Sequence, residues 1–328
     1  MRSRLDDVNR SRHHNAAMAI PPLVSVLTEN WTMTDPRDLR SIVRMAQEAE
    51  DAGFDMVMVS DHVLLGPSAG SSGRMANPRD YAMPGNQDPA TPWPSNLVLL
   101  SAIAQATTRI RIGAIALIAP LRHPLVLAHD LAALDLLSEG RLVIQPTVSW
   151  HRDEYDAIGV DFTKRGRIMD EQLEIMRAVW ERSPVSYAGE FFSFDDVYVE
   201  PKPFRPEGPR MWFGGERVHG KVVERLVRYG SGFHPVGRVD PDDVAELRRR
   251  LQEAGRSTDD FELVGGTRVA FPDDDSCAPL AEALEEIPRQ QELGFTTFCI
   301  KPSIFIDDRD AHADFCRDVV RRVEALTG

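Results

Sequence analysis

The sequence predicts an α/β protein of the (β/α)8 TIM-barrel class, and three observations predict it. Short β-branched runs alternate with amphipathic segments from Leu23 to the C-terminus, and the count reaches eight of each. Between Arg109 and Trp180, two β-rich runs (110–117 and 141–149) flank a segment of helical periodicity, the βαβ unit of a parallel sheet. No composition shift marks a second domain. The 328 residues exceed the usual domain size, but α/β barrels run to about 250 residues or more as one unit.

Taken in order, residues 23–27 (LVSVL) form strand one. Residues 36–52 form a helix, with Asp35 as N-cap, Pro36 at its first position and Gly53 as its stop. Its apolar stripe is Leu39, Ile42, Val43, Ala46 and Ala49. Strand two (54–60, FDMVMVS) ends at Asp61-His62. Residues 63–95 are dense in Gly, Pro and Ser and cannot be a regular element. A loop of this length is functional or mobile. Its place after strand two makes it a lid over a site, with a disordered surface insertion as the alternative.

A helix (96–107), strand three (110–117), a helix (124–137) and strand four (141–149) follow. Residues 165–180 form an amphipathic helix with Met169, Leu173, Met176 and Trp180 on one face. Residues 183–209 alternate aromatic and polar side chains between prolines, a β-hairpin insertion before strand five. Strands five to eight fall at 210–213, 232–236, 261–271 (with a bulge at Gly265-Gly266) and 296–301. Their helices fall at 218–229, 241–254, 279–293 and 310–326, the last with Phe315, Val319, Val323 and Leu326 inward. Residues 1–20 carry adjacent acids and no apolar core, so they are no secretory signal. They are expected to be a disordered tail, with Met18 as a second candidate start, leaving 21–328 as a single barrel domain.

The formal charge of −13 argues against a nucleic-acid or anionic-membrane partner, and no apolar run is long enough to cross a bilayer. Cys277, Cys299 and Cys316 show no paired spacing and read as reduced thiols of a cytoplasmic protein. GxGxxG after a strand, GxxxxGK[ST], HExxH and GxSxG are all missing, and no metal site is expected.

Four places carry candidate chemistry. At Asp61-His62 a carboxylate beside an imidazole would hold the ring in one tautomer for proton transfer; a pair capping the strand end is the bland alternative. At the end of strand four, Thr147 and Ser149 offer hydroxyls beside Trp150, which either stacks on a ring system or packs on the next helix, and Pro146 makes the strand prone to bulge. Gly214-Gly215-Glu216-Arg217 joins strand five to a helix as a weak anion-site signal. Trp31, Trp93, Trp150 and His234 would line an aromatic mouth for a hydrophobic small-molecule substrate. Ile115-Ala116, taken alone, is buried strand.

In order along the chain stand Asp61-His62, TRIRIGAIALIAPLRHP (108–124), DLLSEGR (135–141), WHRDEYDAIGVDFTKRG (150–166) and FGGE (213–216). This ordered set resembles the bacterial luciferase-like family of flavin- and deazaflavin-dependent oxidoreductases, over nearly all of 23–328, and is nearest to its coenzyme F420-dependent branch. The resemblance implies a barrel that holds the cofactor ring at its C-terminal mouth. It implies a non-proline cis peptide at Ile115-Ala116 against that ring, His62 as the acid/base, and cofactor phosphate near Gly214-Gly215, while Asp61 is expected to orient His62 from its place beside it. It also implies a homodimer. The expected reaction is hydride transfer between reduced F420 and a small organic substrate. The alternatives are FMN with molecular oxygen, as a monooxygenase, and a non-catalytic flavin-binding barrel. Two departures stand out. Gln145, Thr147 and Ser149 occupy positions where the family has glycine, and there is no acid near Trp150 of the kind that sugar-phosphate dehydrogenases carry.

Overall fold

The computed structural model describes residues 20–215, 218, 220–235, 240–267 and 269–328. The expected tail, Glu216, Arg217 and Val236 lie outside the described residues, apart from Ile20. The elements run β1 (Leu23–Val26), α1 (Leu39–Ala52), β2 (Met56–Val59), α2 (Asn96–Ala106), β3 (Arg111–Ile118), α3 (Pro124–Leu137) and β4 (Leu142–Thr147). After them come α4 (Arg152–Ile158), α5 (Arg165–Glu181), the pair β5 (Val185–Ala188) and β6 (Ser193–Val197), then β7 (Arg210–Gly215) and α6 (Gly220–Tyr229). The chain ends with β8 (Gly232–Pro235), α7 (Pro241–Glu253), β9 (Glu262–Gly266), α8 (Leu280–Glu292), β10 (Thr297–Ile300) and α9 (His312–Thr327). β1-β2-β3-β4-β7-β8-β9-β10 closes into a parallel barrel, and β5-β6 is the separate antiparallel hairpin.

Side chains alternate between two buried layers, as a parallel sheet covered on both faces requires. Val24, Val26, Met56, Met58, Ile115, Val143, Trp212, Val264 and Cys299 fill the barrel interior. Their outward neighbours, among them Leu23, Val57, Ile112, Ile144, Phe233 and Phe298, pack against Ile42, Leu131, Leu173 and Val319 of the helices. At the N-terminal end of the strands Arg111 makes two bonds of 2.8 Å to Glu262, which also accepts from Trp212 Nε1 at 3.3 Å. This ion pair is the floor; the site must lie at the opposite end.

Several local expectations are corrected. α1 is capped by Asp38, whose side chain accepts from Ser41 N, while Asp35 bonds Arg37 instead. Leu39 is 37% and Leu326 42% exposed, so neither is core; Met45 joins Ile42, Ala46 and Ala49 on the buried face of α1. Gly265 and Gly266 pair in unbroken register with Phe298 and Cys299, so there is no bulge in β9. The bulge lies in β3: the register with β4 jumps between Ala114 and Leu117, whereas β4 stays regular through Pro146. The short helix α4 was not foreseen.

Candidate active site

At the mouth, Asp61 and His62 follow β2 and part company. The Asp61 carboxylate accepts from Ile118 N at 2.9 Å and from both Arg122 Nη atoms, at 2.7 and 2.9 Å. It therefore ties β2 to the end of β3 and does not orient His62, contrary to expectation. The acid beside His62 is Glu154 of α4, fully buried, with Oε2 3.2 Å from His62 Nδ1. The sequence reading missed it because its position depends on how α4 docks.

Glu154 belongs to a clamp. Its Oε1 accepts from Val63 N (2.9 Å) and Leu64 N (3.3 Å), His151 Nε2 accepts from Gly66 N (2.7 Å), and Asp153 accepts from Ser68 N (2.9 Å). Thus the start of the 63–95 segment is fixed by the start of α4. Across the barrel, Arg79 makes a two-bond ion pair with Asp307, and Asn77 bonds the carbonyls of Asp273 and Ser276. Lys301, buried at the end of β10, donates to Asp80 O at 2.6 Å. Burial pushes its pKa down, although Glu29 and Asp80 pull the other way. The segment is an ordered strap over the mouth, not a disordered insertion.

Aromatic groups gather on His62. Trp93 lies 4.9 Å and Trp150 6.0 Å from its ring, with Trp31 6.1 Å from Trp93. Trp93 Nε1 is shut from solvent without a hydrogen-bond acceptor. His234 is not among these contacts. It faces the barrel interior, 2.9 Å from Gln145 Oε1 and 3.9 Å from Cys299 Sγ, and burial pushes its pKa down to about 4.

The Ile115–Ala116 peptide is cis and lies within the β3 bulge. Thr147 and Ser149 are partly exposed; Ser149 adopts a left-handed φ of 55° and its Oγ accepts from His151 N. Gly214 and Gly215 belong to β7, paired with His234 and Pro235, and do not open a helix as expected; α6 starts at Gly220. A Cβ on Gly214 would come within 2.6 Å of Gln145 Nε2, so the Gln145 side chain fills the space before it. Among the described residues no group of three His, Cys, Asp or Glu could hold a metal ion, and no helix is long and apolar enough to cross a membrane.

A parallel barrel closed at its floor, with a histidine–carboxylate pair and an aromatic wall at its strapped mouth, belongs to the class of barrels that act on small molecules at the C-terminal ends of their strands. The family model described as luciferase-like monooxygenase matches residues 22–313, and the chain belongs to that family. An uncharacterized protein of Mycobacterium tuberculosis is 34% identical over 215 residues, covering 64% of this chain and 72% of that one. Two solved structures share the fold at 18% identity. An F420-dependent secondary alcohol dehydrogenase in complex with an F420-acetone adduct has a TM-score of 0.67 and covers 93% of this chain and 99% of that one. The monooxygenase RslO1 from Streptomyces bottropensis has a TM-score of 0.72, covering 94% and 100%.

Proposed function

We propose that this protein is an oxidoreductase that transfers a hydride between the deazaflavin coenzyme F420 and a small, largely apolar organic substrate, with His62 exchanging the accompanying proton. The observation that carries the reading is the position of His62, at the mouth among Trp93, Trp150 and a buried carboxylate. Two features support the fit of a flat redox ring: the β3 bulge at Ile115–Ala116, and the solvent-free Trp93 Nε1 that lacks an acceptor. Ile115, Ala116, Thr147, Ser149, Trp150, Gly214 and Gly215 are the residues that would hold it, with Glu216 and Arg217 proposed from sequence alone. Bound there, the coenzyme supplies the hydride. Trp31, Trp93 and Trp150 pack the substrate and exclude water. His234, inside the barrel, is proposed to set the mouth's shape through Gln145.

A second reading, FMN with molecular oxygen, is favoured by the family's description and by the fold shared with RslO1. Equilibrium binding of reduced and oxidised F420 and of FMN, side by side, separates the two. Tight binding of F420 with none of FMN supports hydride transfer. Preference for FMN, with substrate-dependent oxygen uptake, overturns it. Binding of neither favours a non-catalytic barrel in which Gln145 has filled the mouth.

We infer also that two copies pair through α2 and α3. Val98 on α2 is 67% and Val126 on α3 58% exposed, and α2 carries no charged residue, a composition unsuited to water. Val98→Glu is expected to convert a dimer to a monomer in sedimentation.

A further inference from the structure

We propose that Glu154 is the positioning residue of the proton-handling histidine, holding His62 with Nδ1 turned to its carboxylate so that Nε2 is the atom presented to the mouth. This rests on the reading of His62 given above and deepens it. Glu154 has no exposed surface, and its two oxygens differ. Oε1 is satisfied by the amides of Val63 and Leu64. Oε2 and His62 Nδ1 are both shut from water, 3.2 Å apart, off the line a hydrogen bond needs. A buried carboxylate oxygen without a donor is costly, and a proton on Nδ1 is what offsets that cost. Catalytic hydrogen bonds of this kind are often misaligned until substrate is bound.

The other titratable groups near His62 are turned elsewhere. His151, ring centre 6.3 Å away, accepts from Gly66 N through Nε2 and leaves its Nδ1 shut from water without a partner, and burial lowers its pKa. Asp61 is taken by Arg122, and Asp153 by Ser68 N. The carboxylate that faces His62 Nδ1 is therefore that of Glu154, which also holds the first residues of the strap.

Glu154→Gln separates positioning from mere tethering. The glutamine carbonyl still accepts from Val63 and Leu64, but its NH2 now meets Nδ1 and requires the opposite tautomer. Nitrogen-15 spectra of histidine-labelled protein, with the His62 signal assigned by its loss in His62→Asn, are expected to show Nδ1–H in the native protein and Nε2–H in Glu154→Gln. Glu154→Asp, which keeps the charge, is expected to restore Nδ1–H in part. The single-turnover rate in Glu154→Gln is expected to fall by roughly 10- to 100-fold, with the acid side of its pH profile displaced and cofactor affinity unchanged. The same tautomer in the native protein and in Glu154→Gln overturns the proposal. Should Glu154→Gln not fold, an Nε2–H tautomer in the native protein overturns it alone. If His62→Asn turns over like the native protein, the functional reading fails, and the tautomer comparison still decides the role of Glu154.

Discussion

Arg122 grips Asp61 with both of its terminal nitrogens, at 2.7 and 2.9 Å, and so turns the carboxylate away from the adjacent His62. Asp61 is almost fully buried, so removing its charge strands a half-buried guanidinium. Breaking such a pair from one side costs about 3 kcal/mol or more. Asp61→Asn is expected to lower the midpoint of urea unfolding by a corresponding amount and to leave the pH profile of the folded enzyme in place. A shifted profile at unchanged stability would restore Asp61 as the partner of His62.

The barrel was legible because its signal is local: β-branched runs, helical periodicity and glycine stops recur within tens of residues. The neighbours Asp61 and His62 were legible as candidates, their partners were not. Arg122 is 61 positions from Asp61, and Glu154 lies in a seven-residue helix too short for periodicity to reveal. WHRDEYDAIG stood out as a motif, but the reason for its acids, which receive the strap's amides, exists only once α4 docks. The same holds for His234: alternation along β8 turns it into the barrel, and composition alone cannot say which face it takes.

The floor offers a test of unequal partners. Burial alone would raise the Glu262 pKa, but Arg111 and then Arg210 outweigh it and the net direction is down. Its stabilising contribution is therefore present above the ordinary glutamate range and lost as pH falls through the lowered value. Glu262→Gln takes from both arginines the carboxylate they share and leaves them only the weaker attraction of Asp55 on Arg111 and of Asp260 on Arg210, whereas Arg111→Met leaves Glu262 with Arg210 at 3.7 Å. Denaturant unfolding at neutral pH is expected to show the larger loss, about 3–5 kcal/mol, for Glu262→Gln. Equal losses would mean that Arg210 does not share the pair.

His234 sets a second pH dependence. Its pKa of about 4 in the folded protein lies below the ordinary 6.5, so between these values the unfolded chain binds a proton that the folded chain does not. Stability from this residue is complete above pH 6.5 and is lost as pH falls toward 4, with a slope approaching about 1.4 kcal/mol per pH unit. His234→Asn is expected to flatten that part of the stability–pH curve. An unchanged curve would show that the ring titrates alike in both states.

The strap should come loose from one side at a time. Residues 77–82 are held by Arg79 on Asp307, Asn77 on two carbonyls and Lys301 on Asp80 O, while residues 63–68 are held separately by His151, Asp153 and Glu154. Asp307 is half exposed, so the Arg79 pair contributes only modestly to global stability. Arg79→Ala is accordingly expected to leave the thermal midpoint nearly unchanged while raising amide exchange over 77–90 and opening the backbone after Arg74 to trypsin. Exchange at Val63, Leu64 and Gly66 should stay slow, because the α4 clamp is untouched. Uniform acceleration over the whole of 63–95 would instead show that the strap moves as one piece.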